Sequence, residues 1–134
     1  MRSQTSKEML YGLEPNWQLV KEEFGPDVVK LEAQVDWQPQ PCACNGRVPH
    51  KQGDAPHCYR SAPIHERQVL IMVRRPKYRC PQCGAGQSPE LPPGKFTSKF
   101  RQIIGSNALK NGITATSEQL AVERTTVARI SREE

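Results

Sequence analysis

Arg74-Arg75-Pro76-Lys77-Tyr78-Arg79-Cys80-Pro81-Gln82-Cys83-Gly84 decides the fold, because a basic, strand-like run feeds directly into Cys-Pro-x-Cys-Gly, the turn that presents two thiolates to one metal ion. The glycine permits a left-handed backbone and the proline stiffens the turn. Two tetrahedral positions then remain for ligands from elsewhere. Upstream, Cys42-Ala43-Cys44-Asn45-Gly46 supplies them, so Cys42, Cys44, Cys80 and Cys83 are expected to hold Zn2+. The Cys-x-Cys spacing is less regular than Cys-x-x-Cys. If Cys42 opens a knuckle, Asn45 holds its partner position; if Cys44 closes one, Pro41 holds the opening position. Cys58, His57 and His50 are therefore alternative upstream ligands.

Working outward, residues 28–37 alternate Val29, Leu31, Ala33, Val35 and Trp37 with Lys30, Glu32, Gln34 and Asp36, which puts an apolar face on a strand. Pro39 and Pro41 end it. The Gln68-Val69-Leu70-Ile71-Met72-Val73 run reads as a buried strand leading into the second knuckle. Between these strands, residues 45–62 carry glycine, proline and histidine without periodicity and read as a loop that can approach the metal. Met9-Leu10-Tyr11-Gly12-Leu13 reads as the start of a packed segment.

Beyond the knuckle, Pro89, Pro92, Pro93 and Gly94 form a stiff linker. Thr97 or Ser98 caps a helix with Phe100, Ile103, Ile104, Ala108 and Leu109 at helical spacing, and Asn111-Gly112 stops it. A second helix from Thr114 to Leu120 turns at Ala121-Val122-Glu123 into a third. In that third helix Val127 and Ile130 face inward, and Arg124, Thr125, Arg129 and Arg132 face outward. The expected fold is α+β, a small zinc-ribbon-like β module over 1–88, a Pro-rich linker over 89–96 and a three-helix helix-turn-helix module over 97–134.

The chain has 134 residues, 36% hydrophobic, with 12 prolines and a formal net charge of +5. Its pI is near 9.1 and its mean hydropathy is −0.69. No run approaches the roughly 18 apolar residues of a membrane span, and residues 1–8 carry no apolar signal core, so a soluble cytoplasmic protein without a membrane partner is expected. An odd five cysteines without an export signal favour metal thiolates over disulfides. Acidic residues gather early, at Glu14, Glu22, Glu23, Asp27, Glu32 and Asp36, while lysine and arginine dominate from Arg60 to Lys110. Arg74, Arg75, Lys77 and Arg79 are accordingly expected as a phosphate-facing stripe, and Arg124, Thr125, Arg129 and Arg132 as groove-facing residues on double-stranded DNA.

The order of knuckles, basic strand, Pro-rich linker and helix-turn-helix resembles the N-terminal region of the insertion-sequence transposases of the ISL-three family. The resemblance rests on Leu10-Tyr11-Gly12-Leu13, on the Arg-Arg-x-x-Tyr-x-Cys-Pro-x-Cys-Gly element over 74–84, on Phe96-Thr97 and on Thr126-Val127-Ala128-Arg129-Ile130. It covers most of the chain and implies recognition of transposon terminal inverted repeats. The sequence differs from the family pattern in its Cys-x-Cys knuckle, in Ala121 where glycine is common, and in Glu123 where a serine cap is common. The family's catalytic carboxylate domain is not within these 134 residues. The acids after Glu90, which are Glu118, Glu123, Glu133 and Glu134, are too scattered to hold two catalytic metals. The expectation is thus a DNA-binding portion of a transposase, not an enzyme by itself. It would occupy element ends, repress transposition by competition, and associate with full-length transposase or with itself.

Three other classes compete. A zinc-stabilised protein-interaction module accounts for the cysteines without DNA specificity. A rubredoxin-like iron carrier would want two regular knuckles in an acidic shell, which the basic surroundings do not provide. A thiol enzyme built on Cys58 beside His57 lacks a third, orienting group.

Overall fold

The computed structural model describes residues 4–133; residues 1–3 and 134, the outer ends of the polar opening run and of the C-terminal module, lie outside the described residues. The fold is mixed α+β. In chain order it comprises α1 (Ser6–Leu10), β1 (Trp17–Phe24), β2 (Val28–Val35), β3 (His50–Ile64), β4 (Arg67–Arg79), β5 (Gly86–Gln87), α2 (Ser98–Asn111), α3 (Ile113–Leu120) and α4 (Arg124–Glu133). Among the described residues no helix is long and apolar enough to cross a membrane.

The sheet has the order β1-β2-β4-β3, with β5 added to β4. β2 follows its alternation: Val29, Leu31, Ala33 and Val35 are buried, with Trp37 packed beside them. They meet Trp17, Tyr59, Val69, Ile71 and Val73 in one core, closed from above by Tyr11 and Leu13. β4 is longer than the apolar run suggests and is buried on one face only. Val69, Ile71 and Val73 are inaccessible, whereas Leu70 and Met72 are half-buried on the open face.

Two strands depart from the sequence reading. The expected loop over 45–62 is largely β3, paired antiparallel with β4 from His50 opposite Arg79 to Ile64 opposite Arg67. β3 is an outer strand of the sheet, so Pro56 and Pro63 cost it few ladder bonds, and the irregularity between Lys51 and Gly53 absorbs the glycine. β1 escapes periodicity analysis because a bulge between Leu19 and Lys21 breaks the alternation of Trp17 and Leu19.

β2 and β4 are parallel, from Val28 opposite Gln68 to Gln34 opposite Arg74. Both strands therefore deliver their C-terminal ends, and the cysteines that follow, to the same end of the sheet. The 89–96 segment then runs back along the sheet. Arg75 Nε donates to the Pro89 carbonyl at 2.7 Å, the Tyr59 hydroxyl donates to the Pro92 carbonyl at 2.7 Å, and Leu91 packs on the core.

The segment finishes beside Arg60, whose backbone bonds Lys95 and Thr97. There the three C-terminal helices begin. Thr97 caps α2, and Phe100, Ile104, Val122, Val127 and Ile130 form a second core. The Arg60 guanidinium joins the two parts: it lies 5.5 Å from the Phe100 ring centroid and donates to the carbonyls of Leu120 and Ala121 at the end of α3. A cation at a helix C-terminus also meets the negative end of the dipole.

Arg60→Ala leaves those carbonyls without their charged donor and should destabilise the protein by about 2 kcal/mol in denaturant unfolding. An unchanged unfolding midpoint would mean the fork contributes nothing to the junction.

Candidate metal centre

The two cysteine turns share one backbone design. The Cys42 amide donates to the Arg47 carbonyl at 2.8 Å, and the Gly46 amide returns to the Cys42 carbonyl at 2.7 Å. In the second turn the Cys80 amide donates to the Ala85 carbonyl at 2.9 Å and the Gly84 amide to the Cys80 carbonyl at 2.9 Å. Gly46 and Gly84 stand at φ 69 and 75, the left-handed conformation that closes each loop. Cys42 thus corresponds to Cys80 and Gly46 to Gly84, and Asn45 occupies the place that Cys83 has in its own turn.

Cys44 reaches the centre from one residue earlier. Its sulfur lies 3.4 Å from that of Cys42 and 3.5 Å from that of Cys80, and the Cys42 and Cys83 sulfurs are 3.4 Å apart. All four ligand atoms fall within 4.8 Å of one another. A disulfide would need about 2.0 Å, whereas a tetrahedral ion with metal–sulfur bonds of about 2.3 Å sets its sulfurs about 3.8 Å apart. The geometry fits one metal ion held by four thiolates. Asn45 takes a supporting part, with Nδ2 donating toward the Cys80 sulfur at 3.8 Å and Oδ1 accepting from the Arg47 amide at 2.9 Å.

Cys42 and Cys80 are buried, and Cys44 and Cys83 form the exposed side. Around them, the Gln87 side-chain amide bonds both the backbone N–H and the C=O of Gln40 at 2.8 Å, fastening the first turn's approach to β5. Trp37 and Tyr78 pack at 5.8 Å between ring centroids, bridging the exits of the two strands.

The metal-free thiols are electrostatically unequal. The amides of Cys83 and Gln82 donate to the Cys80 sulfur and hold its pKa down at about 6. The neighbouring Cys42 thiol, with those of Cys80 and Cys83, pushes Cys44 up to about 12. At Cys42 the Cys44 amide pulls downward and the Cys83 sulfur upward, with a net rise.

The alternative upstream ligands are elsewhere. His57 and Cys58 lie within β3 opposite Val73 and Met72, and Cys58 borders a depression of about 360 Å³ on the open face of the sheet with Lys21, Glu23, Leu70 and Met72. His50 sits opposite Arg79 but is not among the clustered ligand atoms.

The basic residues of β4 do not share one surface. Arg74 pairs with Glu32 at 3.0 Å, while Arg75, on the opposite side of the strand, is engaged by the Pro89 carbonyl. Lys77 and Arg79 are exposed. On α4, Arg124, Thr125, Arg129 and Arg132 are all exposed, with Thr125, Arg129 and Arg132 aligned along one stripe opposite Val127 and Ile130. Arg60, the junction residue, carries no motif by which sequence reasoning could have found it.

No protein-family model, curated protein or solved structure matches this chain.

Metal loading at pH 7 should release protons, since Cys44, with its pKa of about 12, must ionise to bind. Acidification should weaken metal binding, because protons compete for all four thiolates and below about pH 6 Cys80 of the free site is protonated as well. A pH-stat titration and a chelator-indicator assay read both; uptake without proton release contradicts four-thiolate binding. Cys44→Ser should abolish tight binding and Cys58→Ser should leave it unchanged, and the reverse pattern would move the ligand set to β3.

Proposed function

We propose that this chain is a zinc-stabilised DNA-binding module of the kind found in the N-terminal region of ISL-three transposases, with α3, the 121–123 turn and α4 acting as a helix-turn-helix. The observation that carries the reading is α4 itself. Val127 and Ile130 are fully buried, so the helix is firmly seated; its opposite side carries Thr125, Arg129 and Arg132, and Arg124 is exposed at its start. Such a helix fits the major groove, where arginine reads guanine edges or holds phosphates. The net charge of +5 supplies a sequence-independent attraction.

Zinc is the ion proposed because four soft thiolates suit it and a closed tetrahedral site leaves no open position for catalysis. Its role is structural: it ties the exits of β2 and β4 together where the core has ended. The reading assigns binding, not cutting, to these residues, and makes competition for transposon ends the route to repression.

Arg74 and Arg75 are spent on Glu32 and on the Pro89 carbonyl, which favours a smaller DNA footprint for the β module than its composition suggests and keeps a zinc-stabilised interaction module as the second reading.

Fluorescence-polarisation titration of the zinc-loaded protein against the neighbouring element's terminal inverted repeat, with a scrambled duplex and a salt series, separates the two. End recognition predicts tighter binding to the repeat, affinity falling steeply with salt, and a cost of about 1–3 kcal/mol for Arg129→Ala. Equal or absent binding to both duplexes contradicts it.

A further inference from the structure

Among the described residues β1 is an outer strand of the sheet and pairs with β2 alone. On its free side the Glu8 carboxylate takes the Leu19 amide at 2.7 Å, which leaves Val20-Lys21-Glu22-Glu23-Phe24 as the open stretch. An unpaired row of amides and carbonyls is a template for another strand. Here it coincides with two large apolar side chains, Val20 at 56% and Phe24 at 60% exposure. Lys21 and Glu23 are exposed beside them and form no ion pair among the described residues.

Charges on an edge usually discourage pairing, but these are self-complementary. We infer that residues 20–24 pair antiparallel with the same residues of a second copy of this chain, about a two-fold axis at Glu22. In that register Lys21 lies opposite Glu23 of the second copy, Glu23 opposite its Lys21, and Val20 and Phe24 opposite each other. Each opposed pair shares a face of the sheet, so the ion pairs form on one side and the apolar contacts on the other. The two Glu22 side chains meet at the axis with their charges already balanced. Each carboxylate holds the Lys7 ammonium at 3.2 Å and the Tyr11 hydroxyl at 3.2 Å within its own chain.

Charge also fixes the register. The neighbouring alignments that keep both core faces on one side set Lys21 against Lys21, or Glu23 against Glu23, and are repelled. The interface is isologous, and five paired residues make it smaller than that of a stable complex, so the dimer is weak and concentration-dependent.

Sedimentation equilibrium of the metal-loaded full chain over a concentration series tests this. The mass should rise from 15.1 kDa toward twice that value. Lys21→Glu and Glu23→Lys should each weaken association by about tenfold, because each replaces both cross-strand ion pairs with like charges. The double variant, Lys21→Glu with Glu23→Lys, should restore it, and circular dichroism of all three variants should match the parent. A parent mass that stays monomeric, a dimer that the single swaps leave intact, or a double swap that fails to rescue would each overturn the inference.

Discussion

The parallel pairing of β2 with β4 is the constraint on which the rest depends. Cys42 and Cys80 are far apart in sequence, and only a register that runs both strands the same way, Gln34 opposite Arg74, brings the turns after them to one end of the sheet. Had the two strands paired antiparallel, the knuckles would stand at opposite ends and no common ion could join them. Parallel strands need a crossover, and here it is the 36–49 connection together with β3, which returns outside β4 and leaves β4 in the interior of the sheet.

That arrangement separates the cysteine cluster from the C-terminal helices. The candidate metal centre lies beyond the His50 end of β3, and the helices attach near Arg60. The span from His50 to Arg60, at about 3.3 Å per residue, is roughly 33 Å. The 89–96 segment connects them along the sheet, fastened at Pro89, Leu91 and Pro92. The helices are thus anchored to the sheet by that strap, by the Arg60 fork on the end of α3 and by Ala62 of β3 against their core.

How legible this was in the sequence varied with the physics of each element. β2 and α4 were readable because one face of each is buried and the other is wet, so burial imprints period two on Val29, Leu31, Ala33 and Val35 and helical spacing on Val127 and Ile130. β3 was not, since an outer strand tolerates Pro56 and Gly53 and buries little beyond Tyr59 and Ser61. β1 was hidden by one bulged residue. At the metal end, the four cysteines were visible but the ambiguity of the first turn was not resolvable by spacing. It took the paired backbone bonds of Gly46 and Gly84 to show that Asn45 stands in the position of the second cysteine.

The central claim is that one ion, held by sulfur alone, ties the two strand exits together. X-ray absorption at the bound metal's edge, with metal content per chain, addresses it most directly. One ion per chain with four sulfur neighbours at about 2.3 Å is the predicted result. A shell containing nitrogen from His50 or His57, or a chain that takes up no metal, would contradict the account.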